Sequence, residues 1–319
     1  MSRRTAPVAQ EAAAPAPTDE AAPAGLGFER WLGLLTSFVA PLTLVTTLLF
    51  YFGYVSSREY FRSFGIDVDI LGFSSQQFVM RSPGALFVPV TALLLATAAL
   101  LIGHRMLRVA LLRSTSGARR RVVAALAGAG IALTGGGLVL AVLLPALDDG
   151  GPWPLVAPLA LAAGAGLAAY AASTARVLAG RRDGRAVVVL LVLVMVAATF
   201  WTTATVAQWW GRGEARTLAA DLRSLPAVVL DSQERLYPGN DAIGFQDLAP
   251  TTPPAGAEEP SVPAETTHRY RYSGLRLLVR GDGALYLVPD VWSPDASTLV
   301  IPDDQDVRIR YRFLPDAAG

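Results

Sequence analysis

Five long stretches of this chain contain no Asp, Glu, Lys or Arg: about 31–55, 85–103, 122–147, 155–175 and 186–207. Each approaches or exceeds the ~20 residues that cross about 30 Å of hydrocarbon at 1.5 Å per residue. Backbone groups in lipid must be satisfied within their own segment, so uncharged runs of this length are predicted as helices. The reading is therefore a membrane α-helical bundle of about five transmembrane helices. Composition agrees: 17% of the 319 residues are charged, against roughly a quarter in soluble domains. Pro41, Pro89 and Pro158 fall inside or near helix ends, where a kink is tolerated.

The connecting segments orient the bundle. Arg105, Arg108, Arg113, Arg119, Arg120 and Arg121 lie between the second and third spans. Arg176, Arg181, Arg182 and Arg185 lie between the fourth and fifth, and Arg3, Arg4 and Arg30 precede the first. The turn between spans three and four (LDDGGPW) carries no positive charge. Short Arg-rich loops stay in the cytoplasm, so five spans place the N-terminus inside and the C-terminus outside, in a cell membrane. Tyr51, Phe52, Tyr54, Trp153, Trp209 and Trp210 then fall at the outer interface, where amphipathic rings sit.

Residues 1–27 are rich in Ala and Pro with few large apolar side chains. They are expected to be a disordered tail. Residues 28–210 form the transmembrane bundle and 211–319 an extracytoplasmic β-rich (α+β) domain. In that domain Glu214–Leu225 has amphipathic helical spacing, and AVVLD (227–231) reads as a strand. The Pro-, Glu- and Thr-rich stretch 248–267 reads as a disordered loop. RYRYS, LRLLVR and ALYLVPD follow as strands, with GDG (281–283) as a hairpin turn. VRIRYRF (307–313) alternates throughout, with Val307, Ile309, Tyr311 and Phe313 on one face and the arginines on the other.

Chemistry is sparse. The absence of cysteine excludes disulfides, thiolate metal sites and Cys nucleophiles. With two histidines, His104 and His268, no multi-histidine site is expected. The charge-free spans lack the usual marks of ion pathways and proton relays. Thr residues in the spans are expected to bond their own helices. No phosphate-binding loop, nucleophile elbow or zinc motif is present, so no cofactor, metal or catalytic residue is assigned and the chain reads as non-enzymatic.

Two surfaces are candidates. The first is the outer segment 56–82, where Arg58, Arg62, Asp67, Asp69 and Arg81 are interleaved with aromatics. It reads either as a contact site or as an interfacial segment with its rings among lipid head groups. Asp67 and Asp69 lack the ligand spacing of a calcium loop. The second is an Arg-lined β face: Arg269 and Arg271 on one strand, Arg276 and Arg280 sharing a face of the next, and Arg308, Arg310 and Arg312 on the last. It reads either as an anion-facing surface for lipid heads or anionic envelope polymers, or as a solvated sheet neutralised by nearby Asp. Small residues at four-residue spacing (Ala160, Gly164, Ala168 and Ala172 in span four; Gly128, Ala132 and Gly136 in span three) permit close helix approach, within the bundle or between copies.

The runs YFGY (51–54), SREYFRSFGIDVDILGFSSQQFVMRS (57–82) and RYRYSGLRLLVR (269–280) resemble a pattern in multi-pass membrane proteins of actinobacteria that have no assigned activity. The resemblance covers a minor part of the chain and implies architecture only. The expected function is that of a non-enzymatic scaffold, sensor-like or envelope-interaction protein. Its expected partners are the bilayer, anionic head groups or polymers, and other membrane proteins, with no nucleic acid. The alternatives are a transporter or membrane-embedded enzyme acting on a lipid-linked or apolar substrate, and an accessory subunit of a larger complex.

Overall fold

The structure is a computed structural model that describes residues 25–147, 151–179, 184–239, 242–248, 268–293, 295–303 and 307–312, with side chains from 41 onward. The expected tail up to 24, part of the LDDGGPW turn, Arg181, Arg182, nearly all of the 248–267 stretch and Phe313 lie outside the described residues. The chain divides into two compact units, up to Thr46 and from Thr47 onward.

Five long helices come first: α1 (Gly25–Arg62), α2 (Ser75–Arg113), α3 (Ser116–Leu143), α4 (Trp153–Ala179) and α5 (Arg185–Ala220). Four of them, α2 to α5, are long and apolar enough to cross a membrane. Each of the five helices begins before its apolar run, and all but α3, which stops at Leu143, also end beyond it. Helix α1 begins at Gly25, inside the stretch expected to be a tail, and runs on to Arg62. Helix α5 absorbs most of the segment read as a separate amphipathic helix, continuing to Ala220 before a 3-10 turn at Leu222–Ser224. Gly211 lies on this continuation, and a Cβ there would overlap the Ser56 carbonyl of α1.

Small residues set the α3–α4 contact. A Cβ on Gly164 would come within 2.5 Å of the Thr134 nitrogen, and one on Gly130 within 2.6 Å of the Ala168 nitrogen. Of the stripe expected on α4, Gly164 and Ala168 meet α3, in one row with Ala157 and Leu161, and on α3 the contact row is Gly130, Thr134 and Gly137. Gly128 and Gly136 have nothing within 4 Å of a built Cβ. The span hydroxyls bond backward on their own helices, as Thr134 donates to the Gly130 carbonyl and Thr199 to that of Met195. That pattern satisfies a polar group without a partner helix.

The C-terminal region is an antiparallel sheet in the order β5-β4-β3-β1-β6, with β2 also on β3. Its strands are β1 (Ala227–Ser232), β2 (Gly244–Asp247), β3 (Tyr270–Gly281), β4 (Ala284–Pro289), β5 (Leu299–Pro302) and β6 (Val307–Arg312). The two strands expected at RYRYS and LRLLVR are one, bent at Gly274, whose φ of +78° suits glycine. The GDG turn closes β3 onto β4 with Asp282 and Gly283 both at positive φ, as a tight hairpin requires. One sheet face carries a core of its own, built from Val228, Leu230, Tyr272, Leu275, Leu285, Leu287 and Ile301.

Candidate functional site

The segment 56–82 is neither a loop nor an interfacial flap. Helix α1 occupies it to Arg62, a 3-10 turn spans Val68–Leu71, and α2 starts at Ser75 behind a capping box of Ser74 and Gln77. Apart from the exposed Ile70 and Met80, its large apolar side chains turn inward: Phe61, Phe64, Ile66, Val68, Leu71 and Phe78 form one buried cluster with Ala215 and Leu222 at the end of α5 and Tyr286 and Val288 of β4. The rings therefore pack against the β domain instead of sitting among lipid head groups. Polar groups lock the same junction. Thr298 donates to the Phe64 carbonyl (2.6 Å) and Tyr286 to that of Ile70 (3.4 Å). Close backbone approaches add shape: a Cβ on Gly281 would lie 2.5 Å from the Leu71 carbonyl oxygen, and one on Gly53 would overlap the Phe78 carbonyl.

The charged members of this segment are dispersed. Arg58, Arg62, Asp67, Asp69 and Arg81 are all exposed. Asp67 caps the 3-10 turn by accepting from the Asp69 nitrogen, and Asp69 accepts from the Tyr54 hydroxyl (3.1 Å). Arg62 lies 3.9 Å from Glu59, which binds Arg212 of α5 at 2.6 Å. Arg81 lies over the rings of Phe73 and Phe61, 4.8 and 5.4 Å from their centroids, a cation–π arrangement. It borders an open hollow of about 540 Å³ with Ser74, Gln76 and Gln77. Burial, aided by the charge of Glu214, pushes the nearby Tyr60 hydroxyl up to about 12.

The arginines of the sheet are not one face. Strand register places Arg271, Arg276, Arg308, Arg310 and Arg312 on the same side: Asp231 lies opposite Arg271 and Arg308, Val229 opposite Arg310, and Ala227 opposite both Arg276 and Arg312. A bulge between Leu277 and Val279 then shifts the alternation, so Arg280 sits opposite Leu285, on the other side. The expectation that Arg276 and Arg280 share a face fails for this reason, since one extra residue inverts every later side chain. Arg276 is itself buried (5% exposed). It binds Asp290 at 2.6 Å and donates to the carbonyls of Leu225 and Arg223 (3.0 and 3.4 Å). Arg269 and Arg280 pair with Asp247 and Asp303.

At the centre of this face Asp231, 4% exposed, takes Arg271 at 2.7 Å and Arg310 at 2.9 Å. Burial alone would raise its carboxyl. The hydrogen bond and charge of Arg271, joined by those of Arg310, outweigh burial and hold it below its ordinary value of 3.8. Arg308 and Arg312 are exposed, and neither forms an ion pair with a described residue.

Thr205 of α5 reaches the Pro154 carbonyl at the start of α4 (3.5 Å), and Gly84 of α2 lies against Trp210 of α5. The starts of α2 and α4 therefore share the β-domain end of the bundle. Following the helices from there puts Arg105 to Arg121, Arg176 and Arg185 at the opposite end. Trp153, Trp209 and Trp210 are partly exposed at the β-domain end. Comparison with protein-family models, with curated proteins and with solved structures finds no match.

Proposed function

We propose that this chain is a five-span protein of the cell membrane, N-terminus in the cytoplasm, that holds a non-enzymatic β domain outside the cell at a fixed height and angle. It acts as a scaffold or envelope-interaction protein. Its partners in this reading are the bilayer, anionic head groups or envelope polymers, and other membrane proteins. The observation that carries the reading is the shared core of Phe61, Phe64, Leu71, Leu222, Tyr286 and Val288. A flexibly tethered domain needs no such core. This one fuses the outer helix ends to the sheet, so the sheet is held in a fixed pose. The separation of charge supports the orientation, with the Arg-rich turns at the end far from the sheet and partly exposed Trp at the near end.

The hydroxyls of Thr97, Thr134, Thr174, Thr199, Thr202 and Thr203 donate to their own helices, which weighs against the transporter alternative. The test is complementation of a deletion strain. A chain ending after Ala220 that reaches the membrane in normal amount is expected to restore nothing. If it restores every phenotype, presentation of the β domain is not the function.

A further inference from the structure

One face of the sheet changes character from strand to strand. On β4 it is Tyr286 (3% exposed) and Val288 (0%), and on β3 it is Arg276 (5%). These three are covered by the turns that close the outer ends of α1 and α5, since Tyr286 bonds Ile70 and Arg276 bonds Arg223 and Leu225. One strand further, Ala227 and Val229 of β1 are half-buried, and on edge strand β6 Arg308, Arg310 and Arg312 are exposed. The face that caps the helix ends thus continues past them as a basic strip. Adjacent strands lie about 4.8 Å apart, so β6 overhangs the helices by about 10 Å beyond β3. A surface that caps the end of a membrane-spanning bundle and overhangs it looks back at the membrane.

Height and charge fit that geometry. Helix α1 runs from Tyr54 at the aromatic level to Arg62, about 12 Å at 1.5 Å per residue. An arginine side chain spans much of that gap, and the Debye length of about 10 Å covers the rest. Among the described residues the strip sets Arg271, Arg308, Arg310 and Arg312 around the buried Asp231. Asp231 is already shared by Arg271 and Arg310, and Arg308 and Arg312 have no ion pair among the described residues. The pairing partner of Arg312 is Ala227, immediately after the point where α5 hands over to the sheet.

We infer that Arg308, Arg310 and Arg312 form a lipid-facing strip that engages the phosphates of anionic phospholipids in the leaflet from which the helices emerge. This rests on reading the helices as membrane spans. It adds a second anchor to the domain, electrostatic where the first is apolar, and makes its seating depend on the anionic lipid content of that leaflet. The planar guanidinium fork suits phosphate oxygens.

The test uses the full-length protein in nanodiscs of phosphatidylcholine alone or with phosphatidylglycerol mixed in. A neutral dicarbonyl reagent modifies accessible arginines, and adducts are counted residue by residue by mass spectrometry. In anionic discs, adducts at Arg308 and Arg312 should fall about fivefold, the effect of roughly one arginine held at an anionic surface, and high salt should restore them. Arg280, exposed but on the opposite face, should be unchanged and serves as the internal reference. Equal reactivity at Arg308 and Arg312 in both discs overturns the strip. So does equal protection in neutral discs by inorganic phosphate or by a soluble polyphosphate, which would make the site one for free anions or wall polymers. Failure of the chain to enter discs, with release from membranes by alkaline carbonate, overturns the membrane reading beneath it.

Discussion

The two halves of helix α2 obey opposite rules. Its first turns, at the β-domain end, bury Phe78, Ser82, Ala85 and Pro89. From Val90 to Met106 every residue is exposed, with Leu94, Leu95 and Leu100 at 67, 67 and 73%. His104, whose Nδ1 lies 2.9 Å from the Tyr170 hydroxyl, links this half to α4. In water the second half would be untenable. In a bilayer it is the ordinary surface of the protein, because lipid tails are as apolar as leucine and exert no pressure to bury it. Hydrophobicity therefore reports two different things along one helix: packing at the β-domain end and, in the proposed membrane setting, solvent at the other.

The contrast is open to direct measurement. Phe64→Ala empties a fully buried position and should lower stability in detergent by ~3–5 kcal/mol, with faster amide exchange across β4. Leu94→Ala removes a side chain of similar apolarity from the inner half and should leave the melting temperature almost unmoved. Equal losses in the two variants would show that the inner half is packed after all.

Asp231→Ala strips the buried carboxylate from between Arg271 and Arg310 and should cost about 3 kcal/mol, the lower end for breaking a buried pair. The same pairing fixes the pH response. Because the folded carboxyl sits below its unfolded value, its contribution is complete above about 3.8 and fades as pH falls through the lower folded value. Acid titration of wild type should show this loss, and the Asp231→Asn protein should lack that component.

Among the helices, Gly164→Ala should cost about 2 kcal/mol by forcing α3 and α4 apart, seen as a lower midpoint of thermal unfolding. Gly128→Ala meets nothing and should gain up to about 1 kcal/mol from helix propensity. A cost at Gly128 would move the α3 contact row back to where its sequence spacing first put it.

The apolar runs were legible because membrane insertion sums side-chain properties over a contiguous window, and the charge asymmetry of the turns is equally local. The junction was not legible. Phe61 and Phe64 look like interfacial aromatics until Tyr286 and Thr298, more than two hundred positions later, are brought beside them. The continuation of α5 was hidden because the charge-free window closes before Arg212, while Gly211 allows the close approach to Ser56. In the sheet, strict alternation read Arg308, Arg310 and Arg312 onto one side correctly, but the bulge at 277–279 carries no sequence signature and moved Arg280 to the other. β2 (GFQD) and β5 (LVIP) are too short to announce themselves. Among the candidate site residues, the ion pairs of Arg269, Arg271, Arg276, Arg280 and Arg310 depend on cross-strand neighbours that only register supplies.

The chain's lack of cysteine makes its orientation measurable with little disturbance. Ser297 beside β5 and Ser116 at the start of α3 are both exposed and lie at opposite ends of the bundle. Each is replaced singly by Cys, and intact cells are treated with a membrane-impermeant thiol reagent. The account predicts that the Ser297→Cys protein labels and the Ser116→Cys protein labels only after the cells are opened. Labelling of Ser116→Cys alone in intact cells would put the β domain in the cytoplasm and contradict the account at its root.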